Sequence, residues 1–167
     1  MKPRYYVLYS LIIVLGILID QLSKLIVVKF LKPIDDLPLW DGVFHFNYHE
    51  NKGAAFGMLA NNRWVFIVIS TVAIIAIGLY LFFGRASSTL MGVSMALIVS
   101  GGIANMIDRL ILGYVVDFLY FKLIDFAIFN IADSFVCVGA GLMILALILE
   151  LVAEAKKVKN AGGGDDK

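Results

Sequence analysis

Residues 128–151 read IFNIADSFVCVGAGLMILALILEL, an apolar run long enough for a helix to cross a bilayer. Polar side chains stand near its start, at Asn130, Asp133 and Ser134. An ionisable group costs at least about 2.5–3.5 kcal/mol near the centre of a membrane span, so a carboxylate in such a segment needs a reason. The segment therefore predicts a transmembrane helix that carries a functional group near one end.

Three more apolar segments have a similar length. The chain is 61% hydrophobic and 16% charged, whereas soluble domains carry about 25% charged residues, so lipid is the expected solvent. We predict an all-α membrane protein with a four-transmembrane-helix bundle in one domain at 1–160, followed by a disordered Gly- and Asp-rich tail at 161–167. The predicted spans are 5–28, 64–83, 90–107 and 128–151.

The segment at 29–63, between the first two spans, contains turn-forming Pro and Gly residues and a β-prone stretch at 43–48. It predicts a small extracytoplasmic β-sheet and loop subdomain. Four spans place both termini on one side, and the positive-inside rule makes that side cytoplasmic. The basic residues that favour this orientation are Lys2, Arg4, Arg85, Lys156, Lys157 and Lys159. A net charge of +1 gives no reason to expect nucleic acid as a partner.

Several polar residues fall near the ends of these spans. Because spans one and three run outward and span four runs inward, these groups are all expected at the same outer face. They are Asp20, Lys24, Asn105, Asp108, Arg109, Asp117, Asn130 and Asp133, with Asn51 in the outer loop above them. Simpler explanations exist for single pairs. Asp20 and Lys24 could form an interfacial ion pair, Arg109 could reach the headgroups, and Asp108 could form a helix-end salt bridge with Arg109.

Asp117 and Asp133 are the best candidates for catalysis, because Gly113 and a short connecting loop would bring Asp117 over the start of span four. Two carboxylates can hydrolyse an amide when one activates water and the other protonates the scissile carbonyl oxygen. Close like charges push the two ionisations apart, so the pair shares a proton near neutral pH. Donors that could orient the carboxylates or stabilise the oxyanion are Asn51, Asn105, Asn130 and Arg109.

Other chemistries have weaker support. His45 and His49 have the i,i+4 spacing of a zinc motif, but Phe46 stands where a zinc peptidase needs Glu. Ser23 and Ser134 lack a nearby histidine and a Gly-x-Ser-x-Gly turn. An ion-coupled transporter is an alternative, which clustering of the polar groups at one face argues against. A noncatalytic membrane assembly factor, with the aspartates in structural ion pairs, also stays open.

Five motifs, in this order, closely resemble those of the bacterial lipoprotein signal peptidase (signal peptidase II) family. The resemblance covers nearly the whole chain, so it is far more specific than any single motif. The motifs are DQLSK at 20–24, NKGAAF at 51–56, GGIANMIDR at 101–109, VVDF at 115–118 and FNIADS at 129–134.

The resemblance implies a multi-pass enzyme of the bacterial cell membrane that cleaves prolipoprotein signal peptides before a diacylglyceryl-modified cysteine. It implies an aspartic dyad at Asp117 and Asp133 near the extracytoplasmic face, and sensitivity to globomycin-like inhibitors. The resemblance also implies residues that line or support the site: Asp20, Lys24, Asn51, Gly53, Asn105, Arg109, Asn130 and Ala132. We expect no cofactor and no metal, a monomeric enzyme, and contact with membrane lipids.

Overall fold

Four long helices make up most of the fold. The computed structural model describes residues 3–53, 63–84 and 86–162. The helices are α1 at Pro3–Ile26, continued by a π-helical turn at Val27–Leu31, α2 at Arg63–Phe83, α3 at Thr89–Ile111 and α4 at Ile131–Gly162.

Three stretches of the described chain are long and apolar enough to cross a membrane. They are Tyr5–Leu31, Thr89–Ile111 and Ile131–Lys159. The corresponding stretch of α2, Ile67–Phe83, is shorter than a typical span. The mostly helical membrane fold is therefore confirmed, and the fourth span stays a prediction.

The boundaries of α3 and α4 differ from the predicted ones. α4 begins at Ile131 rather than at 128, because Asn130 caps it, and it includes residues 161 and 162 of the predicted tail. α3 continues to Ile111, which places Asp108 and Arg109 inside the helix. The rest of the tail and the last three residues of the 51–56 motif lie outside the described residues.

A three-stranded antiparallel sheet stands at one end of the helices. Its strands are β1 at Asp36–Trp40, β2 at Phe44–Asn51 and β3 at Val115–Tyr120, in the order β1-β2-β3. As predicted, β1 and β2 lie between the first two helices, but β3, which completes the sheet, lies between α3 and α4. Asp117, expected on a loop, lies in β3 opposite His49. Gly113 has a φ of 84° and makes the turn between α3 and β3. This left-handed backbone conformation favours glycine, because glycine has no β-carbon.

α3 is the central helix and packs against α1, α2 and α4. A β-carbon added at Gly101 of α3 would lie 2.2 Å from the carbonyl oxygen of Ala132 in α4. Small residues allow this kind of close backbone approach between membrane helices. Because Gly101 has no side chain, α3 can approach the first turn of α4 closely. Asp133 lies in that turn.

Replacing Gly101 by Ala should force α3 and α4 apart and lower the free energy of unfolding by about 1–3 kcal/mol, the usual cost of overpacking. Thermal unfolding in detergent measures this. Gly141→Ala in α4 is the matched control, because its added β-carbon meets nothing within 4 Å. Equal melting temperatures for the two variants would contradict the close contact at Gly101.

Candidate active site

Asp117 is buried on β3, and two amide groups hold its carboxylate. Asn51 Nδ2 donates to Oδ2 at 2.9 Å, and Asn130 Nδ2 donates to Oδ1 at 2.6 Å. The antiparallel pairing of β2 with β3 places Asn51 opposite Val115, one diagonal position from Asp117. The sheet therefore supplies a donor that is distant in sequence from the carboxylate it contacts.

Asp133 lies in the first turn of α4, in a reciprocal cap with Asn130. The backbone N–H of Asp133 donates to Asn130 Oδ1 at 2.8 Å, and the backbone N–H of Asn130 donates to Asp133 Oδ2 at 3.2 Å. This is the capping-box arrangement, with Asn at the N-cap and Asp three residues later. Asn130 therefore contacts both carboxylates, that of Asp117 through its side-chain amide and that of Asp133 through its backbone N–H.

Backbone hydrogen bonds place Asn130 beside β3. The N–H groups of Phe118 and Leu119 donate to the carbonyl oxygen of Phe129 at 3.0 and 2.8 Å, and Phe129 N–H donates back to Leu119 at 3.1 Å. Residue 130 therefore begins α4 next to the strand that carries Asp117. The start of a helix and the middle of a strand meet at the candidate dyad.

Asn105 and Arg109, one turn apart on α3, complete this side of the site. Asn105 Nδ2 donates to Asp133 Oδ1 at 2.8 Å. Arg109 Nη1 donates to the carbonyl oxygen of Asn105, and its Nη2 donates to that of Gly53, both at 3.4 Å. Gly53 N–H in turn donates to Asn51 Oδ1 at 2.9 Å, which fixes the orientation of the Asn51 amide.

Lys24 lies behind the candidate dyad with its side chain only 5% exposed. Its ammonium contacts Asp20 Oδ2 at 2.8 Å, Asp108 Oδ2 at 2.9 Å and Asn105 Oδ1 at 3.0 Å. An ammonium has three N–H donors, and each has an acceptor here. The predicted ion pair between Asp20 and Lys24 is present, but it is buried rather than interfacial. Asp108 pairs with Lys24, a partner on another helix that the sequence did not indicate.

The two carboxylates paired with Lys24 also hold the backbone beside each candidate catalytic residue. Asp20 Oδ1 accepts from Ala132 N–H at 2.8 Å, next to Asp133. Asp108 Oδ2 accepts from Val116 N–H at 3.2 Å, next to Asp117. These bonds give the buried carboxylates further partners besides Lys24.

Gln21 is a member of this network that sequence reasoning missed. Its Nε2 donates to Asp108 Oδ1 at 2.9 Å and to the carbonyl oxygen of Ala104 at 3.2 Å. The available signal was a polar amide beside Asp20 in an otherwise apolar span. Through Gln21, α1 holds α3 at the same level as Lys24.

The pKa of Asp117 is raised to about 7, first because burial disfavours its charged form and second because the negative charge of Asp133 lies nearby. The amide donors of Asn51 and Asn130 act in the opposite direction. A carboxyl with such a pKa can hold a proton near neutral pH. The arrangement therefore places a carboxyl whose pKa lies near neutral pH beside a second carboxyl.

A groove of about 680 Å³ opens beside Asp133. Side chains of α2, α3 and α4 line it, mostly apolar ones such as Ile74, Ile98 and Val136, while Asn51 and Arg109 lie among its polar residues. Volumes of about 300–1,000 Å³ with few polar groups are typical of ligand sites. An elongated apolar ligand with one polar section fits this groove.

The ten predicted site residues all belong to this connected set of contacts, in the roles described above. The two histidines do not join it. His45 and His49 lie in strand β2, so they lack the helical relation that the zinc motif requires, and His45 Nδ1 contacts Asp36 at 2.9 Å. Among residues 3–53, 63–84 and 86–162, no group of three or more potential metal ligands occurs. Ser134 Oγ donates to the carbonyl oxygen of Asn130 at 3.0 Å.

Comparisons with known proteins identify the family. The family model described as signal peptidase (SPase) II matches residues 12–149. A lipoprotein signal peptidase of Clostridioides difficile is 46% identical over 132 residues, which cover 79% of this chain and 88% of that protein. A lipoprotein signal peptidase of Geobacter metallireducens is 38% identical, with coverage of 93% and 99%.

Two solved structures of bacterial membrane enzymes share the fold. One, determined by the in meso method at 2.3 Å resolution, has a TM-score of 0.76 and 31% identity, and the match covers 95% of this chain and 92% of that one. The other, at 1.9 Å resolution, has a TM-score of 0.73 and 34% identity, with coverage of 83% and 91%. The chain therefore belongs to the signal peptidase II family and is a membrane aspartic peptidase.

Proposed function

We propose that this enzyme removes the signal peptide from diacylglyceryl-modified prolipoproteins by cleaving before the lipidated cysteine, with Asp117 and Asp133 as its catalytic dyad. The observation that carries the proposal is the double role of Asn130, which caps α4 through Asp133 and donates to Asp117. This arrangement brings both carboxyls to one residue, beside an apolar groove, because Asp117 accepts from the Asn130 side chain and Asp133 accepts from the Asn130 backbone N–H. Family membership disfavours the transporter and the noncatalytic assembly factor.

The two carboxyls have different environments, which suggests a role for each. Asp133 accepts from Asn105 Nδ2 and Asn130 N–H at a helix N-terminus, and all three features favour a negative charge. Asp117 lies in a strand, where burial and the charge of Asp133 favour its protonated form. Asp133 is therefore the general base, and Asp117 is the general acid.

In the first step, the Asp133 carboxylate takes a proton from a water molecule, and the water oxygen attacks the scissile carbonyl carbon. Asp117 donates its proton to the carbonyl oxygen, which gives a neutral tetrahedral diol. In the second step, Asp133 gives its proton to the cysteine nitrogen as the C–N bond breaks, and Asp117 recovers a proton from the diol. The products are a signal-peptide carboxylate and a free amino group on the cysteine.

The groove beside Asp133 suits this substrate because its walls are mostly apolar and its polar residues include both Asn51 and Arg109. The signal-peptide helix would lie along the apolar wall, within lipid, and the scissile bond would lie at the polar section. The positive-inside pattern puts this section at the extracytoplasmic face, with both termini in the cytoplasm. Globomycin-like inhibitors would compete for the same groove, and we expect the enzyme to act as a monomer.

Asp117→Asn and Asp133→Asn should each lower the rate of precursor cleavage by at least about 10²–10⁴-fold, because each removes an acid–base group. A gel-shift assay with purified enzyme and diacylated precursor measures the rate. Asp125→Asn is the matched control, since Asp125 lies in the same outer segment and contacts Tyr120 rather than the dyad. Normal cleavage by either dyad variant, with intact insertion into the membrane, would disprove the assignment.

The rate should also fall as the pH rises through about 7. Asp117 holds its proton below its raised pKa and loses it above, and the proposed acid is then missing. We expect kcat/KM to fall about tenfold per pH unit on the alkaline side. Initial rates from pH 5 to 9 measure this, and melting temperatures over the same range control for unfolding. A rate that stays flat to pH 9 would contradict a protonated Asp117.

Lys24→Met should lower the free energy of unfolding by about 3–5 kcal/mol, because it leaves the buried carboxylates of Asp20 and Asp108 without their cation. Lys32→Met is the control, since the Lys32–Glu50 pair is 47% and 33% exposed and should contribute at most about 1 kcal/mol. Unfolding in detergent compares the two variants. Similar losses for both would mean that the Lys24 network does not hold the site together.

A further inference from the structure

A second groove, of about 340 Å³, lies between the outer end of α1 and the sheet. The π-helical turn Val27–Leu31 forms one wall, and Leu37 of β1 and Phe118 of β3 lie on the other. Short π-helical segments are rare in proteins. Those that do occur often lie at functional sites. No described residue lines both this groove and the groove beside Asp133, so the two are separate.

The lining of this second groove is suited to a hydrocarbon rather than to a peptide. Ser23 is the only polar side chain among the described residues that line it, and its Oγ already donates to the carbonyl oxygen of Asp20 at 2.6 Å. A peptide bound there would leave its backbone N–H and C=O groups with few partners, which costs free energy. A saturated chain has no such groups.

The groove is continuous with the surface that faces lipid. Ile26 and Phe30 line it and are 59% and 63% exposed, and both belong to the membrane-crossing stretch Tyr5–Leu31. Ile34 and Leu37, also exposed, continue the apolar lining toward the sheet. Acyl chains of the bilayer therefore lie against the opening of the groove without crossing water.

A positive charge stands at the same opening. Lys29 Nζ lies 5.1 Å from the centre of the Phe30 ring, at the end of the span where phospholipid headgroups lie. An ammonium there can bind a phosphate oxygen. We propose that this second groove binds one acyl chain of an anionic phospholipid, with the lipid phosphate at Lys29.

A chain bound in this groove would contact the strand that carries Asp117. Val27 and Leu31, on one wall, pack in one buried cluster with Val116 and Phe118. These last two residues flank Asp117 in sequence. The bound phospholipid would therefore act as a packing partner for β3, distinct from any lipid carried by a substrate.

The test uses the full chain in liposomes that contain phosphatidylglycerol with a photoreactive group in mid-chain. After irradiation, peptide mass spectrometry should find labelling of residues 26–34 and Phe118 at least fivefold above that of residues 11–18, which face lipid elsewhere on α1. Leu37→Trp should reduce this labelling at least fivefold by filling the groove, and Ile34→Trp is a second such variant. Uniform labelling along α1 would overturn the proposal.

Leu39→Trp is the matched control, because Leu39 lies on the same strand and is exposed but does not line the groove. Its labelling should equal that of the unchanged chain, and an equal loss in Leu37→Trp and Leu39→Trp would overturn the assignment.

Lys29→Gln should halve labelling by phosphatidylglycerol or lower it further, with no change for zwitterionic phosphatidylcholine. Lys122→Gln controls for loss of a basic residue near the sheet. Equal labelling by both lipids in the unchanged chain would contradict the preference for an anionic phospholipid.

The same label can distinguish a phospholipid from the lipid of a substrate. Diacylated precursor is added in excess to the Asp117→Asn variant, which should bind it without cleavage. Unchanged labelling of residues 26–34 supports the phospholipid site. Displacement of the label by precursor would assign the groove to the substrate and overturn the proposal.

Discussion

The rest of the site depends on the contacts that the buried ammonium of Lys24 makes. Water is scarce in a helix bundle within a bilayer, so each of its three N–H groups needs a protein acceptor. Asp20, Asp108 and Asn105 provide them, and these three residues in turn bond to Ala132 N–H, Val116 N–H and the Asp133 carboxylate. One charge on α1 thereby fixes α3, β3 and the start of α4 relative to one another.

The difference between the two aspartates follows from the secondary structure around them. Asp133 lies at the N-terminus of a long helix, where unpaired backbone N–H groups and the helix dipole favour an anion. Asp117 lies in a strand, which has no comparable dipole, and it is fully buried. A capping box usually serves only to begin a helix. Here Asn130 of the capping box also donates to Asp117, so the cap holds the strand carboxyl of Asp117 near the helix carboxyl of Asp133. The fold itself gives the two carboxyls different environments.

Sequence reasoning succeeded where local patterns carry the information. Apolar length predicted the long helices, and the polar residues that were expected near one another do form one connected set of contacts. It failed for β3, because VVDFLY is short and its partner strand β2 lies more than sixty residues earlier in the chain. It also did not anticipate that Lys24 of another helix pairs with Asp108. Contacts between distant segments decided both cases.

A peptidase inside a membrane meets phospholipids far more often than lipidated precursors, so it must tell two similar apolar ligands apart. Hydrophobic contact alone cannot do this, because acyl chains gain little by leaving one apolar environment for another. Polar groups can discriminate, since amide donors left without acceptors penalise the wrong ligand. The groove beside Asp133 combines apolar walls with Asn51, Asn105 and Arg109, whereas the π-helical groove lacks comparable groups among its described residues. A peptide bond offers donors and acceptors to the polar groups of the groove beside Asp133, whereas an acyl chain offers none.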